Sequence, residues 1–128
     1  MYLESSAKPS QKQKDSGTEY SVKEKIRHVV CFKFKHDADP SRIRKVEREF
    51  EALKGKIKGI LSLEWGKNNS PEGLNKGFTH CFVVTFDRAE SRKKYLPHPD
   101  HQAFVSILKP ILEDVFVIDF TPWYPTDC

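Results

Sequence analysis

The amino-acid sequence predicts an α+β fold of the ferredoxin-like kind, a four-stranded antiparallel sheet with helices on one face. Three observations lead there. Four segments alternate apolar and polar residues with a period of two, two segments carry apolar residues three and four apart, and their order is β-α-β-β-α-β. With right-handed crossovers, that order builds a single sheet.

The first strand spans Ile26 to Lys35, with Ile26, His28, Val30, Phe32 and Phe34 on one face and Arg27, Val29, Cys31 and Lys33 on the other. Asp39-Pro40-Ser41 then offers capping side chains and a proline suited to a first helical turn. The helix expected from Ser41 to Lys56 places Ile43, Val46, Phe50, Leu53 and Ile57 on one stripe and ends near Gly55 or Gly59. Ile60 to Gly66 is the second strand, its residues Ile60, Ser62 and Glu64 opposed to Leu61, Leu63 and Trp65. Asn68 to Gly73 is loop chemistry throughout. The third strand, Phe78 to Phe86, puts Phe78, His80, Phe82, Val84 and Phe86 on one face and pairs with the second as a long hairpin. Asp87 is expected to cap a short helix through Tyr95, and Pro97-His98-Pro99 forces a corner before a helix from Asp100 to Leu112. Val115 to Phe120 is a β-branched and aromatic final strand, closed by Thr121-Pro122.

Residues 25–123 therefore form the predicted domain, between a basic N-terminal tail at 1–24 and a short C-terminal tail at 124–128. The N-terminal stretch is rich in Ser, Lys, Gln and Glu and lacks an apolar period, so it is expected to be disordered. Five lysines fall in the first 25 residues, but Glu4, Asp15, Glu19 and Glu24 accompany them, so the mild +4 formal charge points to no particular partner for the domain. That tail lacks interleaved aromatics and an arginine-rich helix, which argues against a nucleic-acid partner. No apolar run reaches the roughly 18 residues of a membrane span. The expected location is the cytoplasm, or outside the cell if a signal segment has been removed. Three cysteines, Cys31, Cys81 and Cys128, suit neither a disulfide framework nor a zinc site. Val29, Cys31, Val83 and Thr85 give the sheet a second apolar face, which a second copy of the chain would cover, so a homodimer is expected.

Ile26 to Lys35, Gly77-Phe78-Thr79-His80, Tyr95 to Phe104 with its His98-Pro99-Asp100-His101 corner, and Val117-Ile118-Asp119-Phe120 together resemble the stress-responsive α/β-barrel (Dabb) family over nearly all of Ile26 to Trp123. The resemblance implies a dimeric α+β barrel, two sheets back to back with helices outside. Most members of that family have no established activity, and one plant branch cyclises linear polyketides by aldol condensation in a pocket between sheet and helices. By that resemblance His101 stands at the branch's catalytic histidine, Tyr95 at a pocket tyrosine, His28 and His80 at strand histidines, and Asp119 at an aspartate near the end of the last strand. Phe32 and Phe82 stand where the branch has smaller residues, so the branch's substrate does not carry over.

Read as chemistry, His28, His80 and His101 are expected to share the space between sheet and helices. There an imidazole can take a proton from a carbon acid, with Asp119 or a backbone carbonyl fixing its tautomer. Val30, Phe32, Phe82 and Phe104 would line the same space for an apolar, carbonyl-bearing ligand, with Tyr95 and His101 orienting it. The competing account makes His98 a cap, His101 a cross-strand hydrogen-bonding group and the phenylalanines plain core, in a noncatalytic stress or assembly protein. His98, Asp100 and His101 do not form a diagnostic metal spacing, and no cofactor is expected. Whether the chain is an enzyme stays open at this point.

Overall fold

The computed structural model describes residues 24–123. The expected tails, and Cys128 with them, lie outside the described residues apart from Glu24. Strands β1 (Ile26–Phe34), β2 (Ile60–Lys67), β3 (His80–Phe86) and β4 (Leu112–Phe120) form one antiparallel sheet in the order β2-β3-β1-β4. Helices α1 (Pro40–Ala52), α2 (Ala89–Tyr95) and α3 (Pro99–Leu108) supply the covering layer. The ferredoxin-like arrangement is as expected.

The alternation of β1 decides the layering. Ile26, His28, Val30 and Phe32 are buried toward the helices while Arg27, Val29 and Cys31 are only partly covered on the reverse. α1 starts where Asp39 accepts a hydrogen bond from Ser41 N at 2.9 Å and Pro40 fills the first turn. Its Val46 and Phe50, with Leu53 and Ile57 just beyond, meet Phe32, Phe82, Val84 and Leu108 in the core. Phe50 stacks on Phe82 at 4.2 Å.

Several boundaries differ from expectation for local reasons. α1 tightens into a 3-10 turn at Leu53–Gly55. α3 stops at Leu108 and passes through a second such turn, Lys109–Ile111, because Pro110 has no N–H to continue the helix, so β4 begins at Leu112. Arg88, not Asp87, is the residue before α2, and it makes no side-chain cap; Asp87 instead accepts a hydrogen bond from the Ser91 hydroxyl. A register shift between Ile60 and Ser62 changes the phase of β2. Ile60, Leu63 and Trp65 therefore pack on the core and Leu61 is left exposed, whereas simple alternation groups Leu61 with Leu63 and Trp65. Phe78 lies ahead of β3, its ring against Phe116 and not in line with Phe82.

Among the described residues, no helix covers the reverse face of the sheet. There β4 presents Phe116, Ile118 and Phe120, each about half exposed (51%, 52% and 50%), beside Val29, Cys31, Cys81 and Val83. Thr85 is the exception among the residues expected on this face, because Arg27 Nη1 lies over it and donates to its hydroxyl at 2.9 Å.

Candidate functional site

On the helix side, β1, β4, α2 and the α2–α3 corner bring four of the expected residues together. His28 Nδ1 meets Asp119 Oδ1 at 2.7 Å across paired strands, and Arg92 of α2 donates to Asp119 Oδ2 at 3.0 Å. Burial alone would raise the pKa of Asp119, but the hydrogen bonds and charges of His28 and Arg92 outweigh it and hold the carboxyl below its ordinary value. The Tyr95 ring packs edge-on to His28 at 5.8 Å and against His101 at 4.4 Å. Arg92 was not a sequence candidate; its place one helical turn before Tyr95 on a short helix was the available signal.

His101 gets its orientation from the corner itself. Pro97 and Pro99 hold the chain in a turn in which His98 caps α3, accepting from Asp100 N at 3.0 Å. The Leu96 carbonyl, 3.0 Å from His101 Nδ1, can only accept, so Nδ1 carries the proton and Nε2 of the neutral ring keeps its lone pair. Removal from water pushes the His101 pKa down to about 4, against the raising effect of the Leu96 hydrogen bond. Burial, and then the charge of Asp119, push the Tyr95 hydroxyl above its ordinary value. Tyr95 is 1% exposed and His101 3%, yet neither the tyrosine hydroxyl nor His101 Nε2 has a hydrogen-bond partner among the described residues.

His80 does not join this group. It pairs with Phe32 while His28 pairs with Val84, four residues along β1 or about 13 Å. Phe32, Phe50, Phe82 and Phe104 form an aromatic cluster in the core. His80 instead bridges Glu47 of α1, with Nε2 2.8 Å from Oε2, and Thr79, with Nδ1 2.8 Å from Oγ1. Glu47 is not among the residues the sequence reading selects; its signal is an acid on the apolar stripe of α1, four residues after Ile43 and three before Phe50.

The expected lining residues Val30, Phe32, Phe82 and Phe104 are all buried on the helix side, in contact with the core rather than around an open space. Cover thins along β4, where Val115 and Asp119 are partly buried and Val117 is exposed at the edge of the same layer. A cavity of about 620 Å³ lies elsewhere, bordered by the reverse face and the loop between β2 and β3; Cys31, Cys81, Val83, Phe78, Thr79 and Phe116 are among its walls. Among the described residues, no cluster of His, Cys, Asp and Glu is arranged to hold a metal ion, and no helix is long and apolar enough to cross a membrane.

Comparison with known proteins agrees with this architecture. A family model described as the stress responsive A/B barrel domain matches residues 26–122. The chain is 34% identical over 97 residues to the stress-response A/B barrel domain-containing protein HS1 of Arabidopsis thaliana, covering 76% of this chain and 89% of that one. It is 26% identical over 97 residues to olivetolic acid cyclase of Cannabis sativa, covering 76% and 96%. A solved structure from Bacteroides fragilis, a dimeric protein of unknown function with a ferredoxin-like fold, superposes with a TM-score of 0.62 at 28% identity over 76% of this chain and 95% of that one.

Proposed function

The chain belongs to the stress responsive A/B barrel (Dabb) family, and from that premise we propose that it is a homodimer that binds a small apolar, carbonyl-bearing molecule on the helix side of its sheet and moves a proton within it. One observation carries the reading: a buried donor, the Tyr95 hydroxyl, and a buried acceptor, His101 Nε2, both stand without a partner among the described residues in otherwise aromatic surroundings. Buried polar atoms are seldom left unpaired, and two of them on neighbouring rings whose centroids lie 4.4 Å apart fit a ligand that supplies the missing acceptor and donor.

The roles follow from the electrostatics. Tyr95 stays protonated and donates to the ligand carbonyl oxygen. His101, neutral at physiological pH, accepts from an enol or an acidic C–H through Nε2. With a pKa near 4 it is a weak base. Proton uptake becomes favourable when negative charge develops on the bound carbonyl, which confines transfer to the bound ligand. Arg92 and His28 fix the Asp119 carboxylate, and its charge opposes ionisation of Tyr95. The thin cover beside Val115 and Val117 is the approach for the ligand. Dimerisation through the reverse face buries the β4 ridge of Phe116, Ile118 and Phe120, and the Bacteroides fragilis protein of similar fold is described as dimeric.

A second reading rests on the Leu96 hydrogen bond: His101 ties the α2–α3 corner and acts only in stability. A thermal-shift screen with a panel of alkyl-aryl ketones and β-diketones separates the two. The functional reading expects a subset to stabilise the protein, by about 2.7 kcal/mol at a hundred times Kd. It expects Tyr95→Phe to weaken binding by about tenfold while the fold persists, one neutral hydrogen bond being about 0.5–1.5 kcal/mol. A His101→Ala protein that is strongly destabilised and binds every ligand as wild type does refutes it.

A further inference from the structure

The His28 ring has an atom that the reading above leaves unused. Asp119 is a carboxylate held below its ordinary pKa, so His28 Nδ1 carries a hydrogen toward Oδ1 at 2.7 Å whether the ring is neutral or charged. Nε2 is then the atom that gains or loses a proton. His28 is 7% exposed, and its Nε2 has no hydrogen-bond partner among the described residues. The His28 ring stands edge-on to Tyr95 at 5.8 Å and the His101 ring lies 4.4 Å from it, so both imidazoles pack on one phenol. Their environments differ in kind. His101 Nδ1 rests on the neutral Leu96 carbonyl, and burial pushes its pKa down to about 4, with the charge of His28 adding to the effect. His28 Nδ1 rests on a carboxylate, which stabilises an imidazolium. The remaining neighbours of His28 are Arg92 of α2, which donates to the other oxygen of that carboxylate, and the apolar Val84 and Phe86 of β3.

Two titratable groups whose surroundings favour opposite protonation states, set beside a buried donor, suit an acid and a base that act on one ligand. We propose that His28, positioned by Asp119, is the general acid that complements His101 as base, and that the ligand is a β,γ-unsaturated ketone whose double bond the pair moves into conjugation. This rests on the reading above, in which Tyr95 and His101 meet a carbonyl compound. His101 Nε2 takes a proton from the carbon between the carbonyl and the double bond. The C–H pair becomes a new C=C bond and the carbonyl π pair takes the proton from His28 Nε2, giving a dienol whose oxygen also accepts from Tyr95. His28 then recovers the hydroxyl proton as the carbonyl re-forms, and the dienol's terminal carbon takes the proton from His101. Both rings end as they began, and no electrons leave the ligand. A shift of this kind suits the place, because Tyr95, His101 and His28 are all buried and the cycle needs no proton from bulk water. Without His28 the oxygen would have only the Tyr95 hydroxyl, a donor whose ionisation the Asp119 charge already opposes.

The test uses the full-length protein with allyl phenyl ketone, its binding read by thermal shift and its conversion by the absorbance of the conjugated isomer. Isomerisation above the rate in buffer is expected, rising with pH as His101 loses its proton and falling at higher pH as His28 loses its own. His28→Gln keeps a donor for Asp119 but has no proton to give. It should lower the rate at saturating ketone about 100-fold and remove the falling limb. Asp119→Asn, at a partly exposed position, leaves the ring in place and should move the falling limb to lower pH, because the imidazolium loses its counter-charge. A His28→Gln protein that isomerises as fast as wild type, a falling limb unmoved in Asp119→Asn, or a wild type that binds the ketone without isomerising it overturns the role of His28 and leaves the binding site standing. A wild type that no ketone stabilises overturns the binding reading, and this one with it.

Discussion

Protonating His101 should destabilise this domain by a calculable amount. In the folded protein its pKa is pushed down to about 4 by burial, against 6.5 for the free side chain. The unfolded chain therefore takes up the proton first as pH falls. The stability contributed by the neutral ring is complete above about pH 6.5 and is lost progressively down to about pH 4. At about 1.4 kcal/mol per tenfold difference in proton affinity the whole linkage is about 3 kcal/mol, of which about 2 kcal/mol is gone by pH 5. The structural cause is burial: Nδ1 already donates to Leu96, and the charge of a second N–H would be held away from water. Asp119 acts in a separate window, since its carboxyl is held below 3.8 and its contribution is lost only as pH falls beneath that value. Urea unfolding of wild type and His101→Gln at intervals from pH 8 to pH 4 isolates the effect. Gln102 Nε2 donates to the same Leu96 carbonyl at 2.8 Å, so that acceptor stays satisfied in the variant. The difference in unfolding free energy between the two proteins should shrink by about 3 kcal/mol across that range. Parallel curves would refute the argument.

Other perturbations have equally definite outcomes. Val29→Asp puts a charge in the middle of the reverse face and should convert dimer to monomer; a mass measurement at micromolar concentration that still finds dimer would reject the sheet-to-sheet contact. Phe50→Ala removes a ring stacked at 4.2 Å on Phe82 and should cost about 3–5 kcal/mol in denaturant unfolding, at constant quaternary state. Gly59 has φ +94° and a Cβ there would collide with the Ser91 side chain, so Gly59→Ala should lose roughly 1–3 kcal/mol, a loss readable in the same assay.

The layering was legible because it depends on side-chain period alone. Ile26, His28, Val30 and Phe32 alternate toward the core, and Val46 and Phe50 continue it from α1, without any need to know which strand pairs with which. Leu61 was not legible in the same way, since one register shift after Ile60 reverses the phase of everything that follows and leaves no mark in composition. The site divides along the same line. His28 with Asp119 and Tyr95 with His101 could be placed from a resemblance and the proline corner. Grouping His80 with them required knowing how far along β1 each partner sits, and the register separates them. Arg92 and Glu47 came into view only when helices that share few sequence cues with the sheet were laid upon it.

The aromatic cluster between the two ends of β1 separates the polar groups around His28 from those around His80. Phe32, Phe50, Phe82 and Phe104 carry no group that could pass a proton or swing a dipole from one end to the other. Energetic coupling between the ends would have to travel through packing alone. Paired substitutions, one at each end, should then combine as simple sums to within about 0.5 kcal/mol. For a small domain that is a form of insurance: one end can drift, acquire a new ligand or fall silent while the other keeps its geometry.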